Sequence, residues 1–122
     1  MAHRFRSQYE AYLAAKLTDL GQVWSYEVEK IPFVKPAENK LYCPDFRIEG
    51  KGFFIEAKGL FSAGDRKKHK LIKEQNPNID IRFVFQNAYL PITKGSKTTC
   101  AMWAEKNDFL WAHKVPPASW FA

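Results

Sequence analysis

The sequence predicts an α/β fold of the α+β type in a single domain. Three observations predict it: apolar residues at helical steps over residues 4–20, a two-residue alternation over 23–29, and a glycine-turned hairpin over 45–58. At 122 residues a chain forms one domain and buries roughly two thirds of its unfolded surface.

Phe5, Tyr9, Tyr12, Leu13, Leu17 and Leu20 recur every three or four positions, so residues 4–20 read as an amphipathic helix that Gly21 ends. Ser7 and Glu10 have the spacing of a capping box, which starts the regular helix at Ser7 and gives Glu10 a structural role. Trp24, Tyr26 and Val28 alternate with Ser25, Glu27 and Glu29, the pattern of a half-buried strand. Pro32, Pro36 and Pro44 exclude helix or central strand from residues 30–44 and predict an extended connector. Residues 45–48 and 53–58 form the hairpin, around a turn at Glu49-Gly50-Lys51-Gly52. A basic helix over 65–75, N-capped by Asp65, turns Leu71 and Ile72 inward. An apolar strand over 79–85, a loop through PITKGSK and a last helix over 98–106 complete the pattern.

The apolar fraction is 46%, and no apolar run approaches a membrane span of about 20 residues. The N-terminus has basic residues without the apolar stretch of a secretory signal, so a cytoplasmic setting is expected. Cys43 and Cys100 are expected to be free thiols, and the three histidines to play ordinary surface or core roles. The net charge of +6 favours a polyanionic partner, DNA among them.

A hairpin turn centred between Gly50 and Lys51 places Asp45 opposite Glu56. Two like charges facing each other across an antiparallel pair repel, so a positive group belongs between them. Lys58 shares a face with Phe54 and Glu56, one pleat beyond Glu56, while Phe53, Ile55 and Ala57 take the other face. Such an oxygen-rich site suits magnesium or manganese. The other reading of the same residues is a surface ion-pair cluster bridged by Lys58, or by Lys51 from the turn.

Pro44-Asp45 followed, eleven residues on, by Glu56-Ala57-Lys58 resembles the PD-(D/E)XK signature of restriction-endonuclease-like nucleases. With FRSQYE, YCPDF, EAKGLF, DRKKHKLIKEQNPNIDIRFVF and the TKGS loop in order, residues 5–120 resemble the phage endonuclease I family of Holliday-junction resolvases. The resemblance implies a mixed sheet flanked by helices and Mg2+-dependent hydrolysis of branched DNA, with Mn2+ able to substitute and one or two ions per site. It implies Asp45, Glu56, the Ala57 carbonyl and Glu10 as metal ligands, and Lys58 as the residue that orients or activates the attacking water. It also implies a homodimer with exchanged segments, and the prolines of the connector disfavour a tight fold-back onto the same chain.

Beside that motif, Arg66, Lys67, Lys68, His69, Lys70 and Lys73 are candidate DNA contacts, with Arg4, Arg6, Lys94 and Lys97 as further ones. Relative to that family the chain lacks a longer N-terminal arm and a basic C-terminal extension, which implies altered junction affinity. A nicking or homing nuclease acting on particular DNA sites, and an inactive DNA-binding module, are the alternative readings.

Overall fold

The computed structural model describes residues 4–35 and 38–122. Five strands form one mixed sheet in the order β1-β4-β5-β6-β7, with a two-stranded ribbon, β2-β3, beside it. The strands are β1 (Trp24–Tyr26), β2 (Ile31–Lys35), β3 (Glu38–Tyr42), β4 (Phe46–Ile48), β5 (Phe53–Lys58), β6 (Ile81–Phe85) and β7 (Trp111–His113). The helices are α1 (Gln8–Asp19), α2 (Ala63–Gln75) and α3 (Cys100–Lys106), with a closing 3-10 turn at Ala118–Phe121. The sheet is antiparallel from β1 to β5 and parallel from β5 to β7. The parallel pairs need crossovers, and α2 and α3 lie in those two connections. Among the described residues no helix is long and apolar enough to cross a membrane.

Helix α1 forms for the reasons its sequence announces. Ser7 caps it from an extended conformation by accepting the Glu10 N–H at 3.1 Å. Gly21 follows its end at φ +72°, a conformation glycine adopts without Cβ strain. Leu13, Ala14 and Leu17 bury one stripe against Phe46, Ile48, Phe53, Ile55 and Val84 of the sheet. On the opposite sheet face Phe61, Phe83, Phe85, Trp103 and Phe109 pack together under α3. Phe83 is wholly buried there, and truncating it to alanine costs about 3–5 kcal/mol.

The β4-β5 turn matches the sequence reading. Phe46 pairs with Ile55, Arg47 with Phe54 and Ile48 with Phe53, the register that sets Asp45 opposite Glu56. Gly50 and Gly52 both adopt positive φ, at +77° and +76°. Lys51 donates to the Phe121 carbonyl at 2.9 Å, so the turn lysine braces the C-terminal segment and is not the bridge between the acids.

Three expectations are corrected, and two elements were not foreseen. β1 ends at Tyr26 because Glu27 takes φ +51°, and Val28 is exposed where strand alternation would bury it. The cap of α2 is Ser62; Asp65 is its third residue and completes a capping box. The connector contains a paired ribbon: β2 and β3 run antiparallel within one chain, from Ile31 opposite Tyr42 to Lys35 opposite Glu38. Pro32 is tolerated because it sits on an exposed position of a two-stranded ribbon, where no central ladder needs its missing donor. Pro36 lies outside the described residues. The connector thus folds back on itself as a local ribbon. Finally, β7 and the closing turn were not read from the sequence at all.

Candidate active site

Strand β5 carries Glu56 and Lys58 on the sheet face that α2 covers, alternating with Ile55 and Ala57 on the α1 side. Asp45 sits just before β4, held by two backbone bonds. The Ala57 N–H donates to Asp45 Oδ2 at 2.8 Å, and the Asp45 carbonyl accepts the Glu27 N–H at 3.1 Å. Glu10 arrives from the first turn of α1. Arg6, Glu10, Asp45, Glu56, Ala57 and Lys58 all line one open cleft of about 400 Å³.

These charges are buried to an unusual degree. Asp45 is 3% exposed, Glu56 5%, Glu10 7% and Lys58 9%. Lys58 Nζ lies 3.1 Å from Glu56 Oε2 and 3.7 Å from Asp65 Oδ1. The Tyr42 hydroxyl donates to Glu56 Oε1 at 2.6 Å. Arg6 pairs with Glu27 at 2.6 Å and reaches Asp45 Oδ1 at 3.9 Å.

The electrostatics follow from that burial. Burial first, and then the charge of Glu56, push the Asp45 carboxyl up to about 9, although the Ala57 N–H works the other way. Burial works to lower the Lys58 ammonium, but Glu56, then Asp65 and Asp45, outweigh it and leave it raised. Tyr42 is held well above its ordinary range by burial and by Glu56, and so remains a donor. The site is short of positive charge, with Lys58 and the marginal Arg6 facing several acids.

Glu10, Glu27 and Asp45 can each offer one oxygen with all three within 4.8 Å of one another. That set of hard oxygen donors, including Asp45, whose carboxyl burial and then Glu56 push up, fits a divalent cation such as Mg2+ or Mn2+. Glu56 lies outside this triplet and is engaged by Tyr42 and Lys58. Glu10 makes only half of a capping box with Ser7, its N–H donating to Ser7 Oγ at 3.1 Å; its carboxylate accepts the Ser7 hydroxyl at 3.3 Å and lines the cleft.

The basic residues divide sharply. Lys67, Lys70, Lys94, Lys97 and Arg4 are exposed. Lys68 is half-buried, its Nζ 5.5 Å from the Tyr42 ring centre. Lys73 donates to the Asp108 carbonyl at 2.9 Å, and Arg66 donates to the carbonyls of Phe61 and Ile92 at 2.6 and 2.9 Å. His69 is corrected outright: it is fully buried between Tyr42 and Phe83, with ring centres 5.1 and 4.8 Å away, and cannot touch a phosphate. Its position on α2 explains this, since His69 and Ile72 are three residues apart and form the inward stripe.

Sequence reasoning missed Glu27, Tyr42 and the ionic role of Asp65. Strand alternation assigned Glu27 to a polar face, and no local pattern announces the positive φ that turns it toward Arg6 and Asp45. Tyr42 stands three positions before Asp45, which is the one local signal that could have drawn attention to it.

Comparison with known proteins identifies the family. The sequence profile of the family described as Phage endonuclease I matches residues 1–122. The chain is similar to "Endonuclease I" of Escherichia phage T7, 43% identical over 116 residues, covering 95% of this chain and 77% of that protein. It is also similar to "Endodeoxyribonuclease 1" of Enterobacteria phage T3, 44% identical over 115 residues, covering 94% of this chain and 75% of that one. A profile match along the full chain, on a fold that gathers the expected acids and lysine into one cleft, places this chain in the phage endonuclease I family.

Proposed function

We propose that this chain is a metal-dependent, structure-selective DNA endonuclease that hydrolyses phosphodiester bonds in branched DNA, four-way junctions above all. The observation that carries the reading is the convergence of Glu10, Asp45, Glu56 and Lys58 on one cleft. Membership of the family and the names of both relatives support DNA as the substrate.

Asp45 and Glu10 would hold a divalent cation, with Glu56 and the Ala57 carbonyl as further ligands. When bound, such a cation acidifies water and offsets charge that grows on the phosphoryl oxygens. The chain's own groups do the rest. Lys58, kept protonated by its acidic neighbours, serves as a donor that orients the attacking water or the phosphate, and is a poor proton acceptor. The water oxygen bonds to phosphorus, the bond to the leaving sugar oxygen breaks, the water's proton passes to solvent, and the departing alkoxide takes up a proton from solvent. Exposed Lys67 and Lys70 of α2 track the phosphate backbone without reading bases.

Resolving a four-way junction takes two cuts, so a homodimer with two clefts belongs to this reading. The solution mass tests the dimer.

The function is tested by incubating the protein with a four-way junction and a matched linear duplex, each with Mg2+, Mn2+ or chelator, and mapping the cuts. Cation-dependent cutting of the junction alone is expected. Cutting of both DNAs at one sequence would instead mark a site-directed nicking enzyme, and no cutting under any condition would refute the endonuclease.

A further inference from the structure

Glu56 is gripped from two sides, and the two grips differ. Lys58 meets Oε2 within the cleft, from the same strand and the same face. Tyr42 meets Oε1 from the protein interior, where it is 3% exposed and forms no part of the cleft lining. A phenol at 2.6 Å from a buried carboxylate oxygen is a short, charge-assisted bond, among the stronger kinds.

The tyrosine is itself held. Its ring lies edge-on to His69 at 5.1 Å, and it packs with Ile31, Phe33, Ile72 and Ile81 in the cluster under the ribbon. It is the last residue of β3, paired with Ile31, and buried Pro44 separates this end from Asp45. The same short run of chain thus delivers a hydroxyl behind Glu56 and a carboxylate opposite it.

We propose that Tyr42 is the positioning residue of the site: by fixing Glu56 Oε1 from behind, it leaves Oε2 as the oxygen presented to the cleft, and so sets the affinity for a divalent cation. Without that bond Lys58 alone holds the carboxylate, at Oε2, and the cleft loses the oxygen preorganised from behind. The inference rests on the cation-dependent reading given above and adds to it a residue that touches neither DNA nor the ion. Groups that orient a metal's ligands in this way change metal affinity by about 10–100-fold when removed.

The test is Tyr42→Phe, which keeps the ring and removes only the hydroxyl. Mn2+ binding is titrated by electron paramagnetic resonance without DNA, melting is followed in chelator, and junction cleavage is measured against Mn2+ concentration. The expected result is Mn2+ affinity lowered by about 10–100-fold, cleavage restored by excess Mn2+, and DNA affinity in chelator unchanged. Unaltered Mn2+ affinity in the variant overturns the proposal, and so does lost cleavage that excess Mn2+ does not restore. Wild-type protein that binds no Mn2+ refutes the cation reading itself, and the proposal with it. Should the variant not fold, the Cζ carbon resonance of Tyr42 in the wild-type chain decides: a shift on adding Mg2+ supports the coupling, and a resonance that ignores Mg2+ overturns it.

Discussion

Lys58 follows Glu56 by two positions on β5, and its ammonium lies 3.1 Å from Glu56 Oε2 while reaching Asp65 Oδ1, on the first turn of α2, at 3.7 Å. The lysine therefore joins the central strand to the capping box of the helix that crosses over it. Strand alternation supplies the first contact, and only the packing of α2 on the sheet supplies the second.

Lys58→Ala should lower the single-turnover cleavage rate by about 10²-fold or more, the scale of removing one donor aimed at developing charge. Junction binding measured in chelator should change by less than about threefold, because exposed cations elsewhere on the chain supply that affinity. Equal losses in rate and binding would contradict the role assigned to Lys58.

Asp45 predicts how metal-free stability depends on pH. Its folded carboxyl is raised from 3.8 to about 9, so its contribution is fully present below the unfolded value and is lost as pH rises through that window. Metal-free protein should lose stability between about pH 4 and 9, and Asp45→Asn should flatten that slope, as read by urea unfolding at a series of pH values. Added Mg2+ should flatten it in the wild type as well. A wild-type slope that Asp45→Asn leaves unchanged would show that other groups carry it.

His69 predicts the opposite sign at the acid end. Burial holds its imidazole well below 6.5, with Lys58 and Lys68 adding to the effect, so the unfolded chain takes up a proton that the folded chain resists. Stability should fall as pH drops below about 6.5. His69→Phe keeps an aromatic ring against Tyr42 and Phe83 and should remove that part of the acid sensitivity. Paired denaturant curves at pH 7.5 and 5.5 measure it.

The basic residues of α2 should separate into two groups by assay. Replacing exposed Lys67 and Lys70 with alanine should reduce the slope of log affinity against log salt by about 0.9 for each phosphate no longer neutralised, with little effect on melting. Arg66→Ala should instead cost stability, about 1–3 kcal/mol, because two carbonyls lose their donor. Binding titrations over a salt series, beside thermal melts, distinguish the groups.

Local pattern was enough for α1, for the β4-β5 hairpin and for the acid pair across it. Each depends on residues within about a dozen positions: the helical period, two glycines at positive φ, and a turn whose centre dictates which residues face one another. Charge chemistry within that window also placed Lys58 beside Glu56. Patterns of this range are silent about β7, whose three residues acquire their meaning only as the parallel neighbour of β6. They mislead at His69, where a run of cations hides the one member that faces inward, and at the connector, where prolines concealed a paired ribbon.

Order along the chain thus specified which chemical groups the cleft would contain. Their surroundings came from contacts between distant segments: Tyr42 behind Glu56, Asp65 beyond Lys58, and Glu27 turned by a positive φ toward Arg6 and Asp45. The physical reason is range. A strand or helix repeat is set by neighbouring backbone torsions, whereas burial and the fields it creates depend on which faces are pressed together once the whole chain has collapsed.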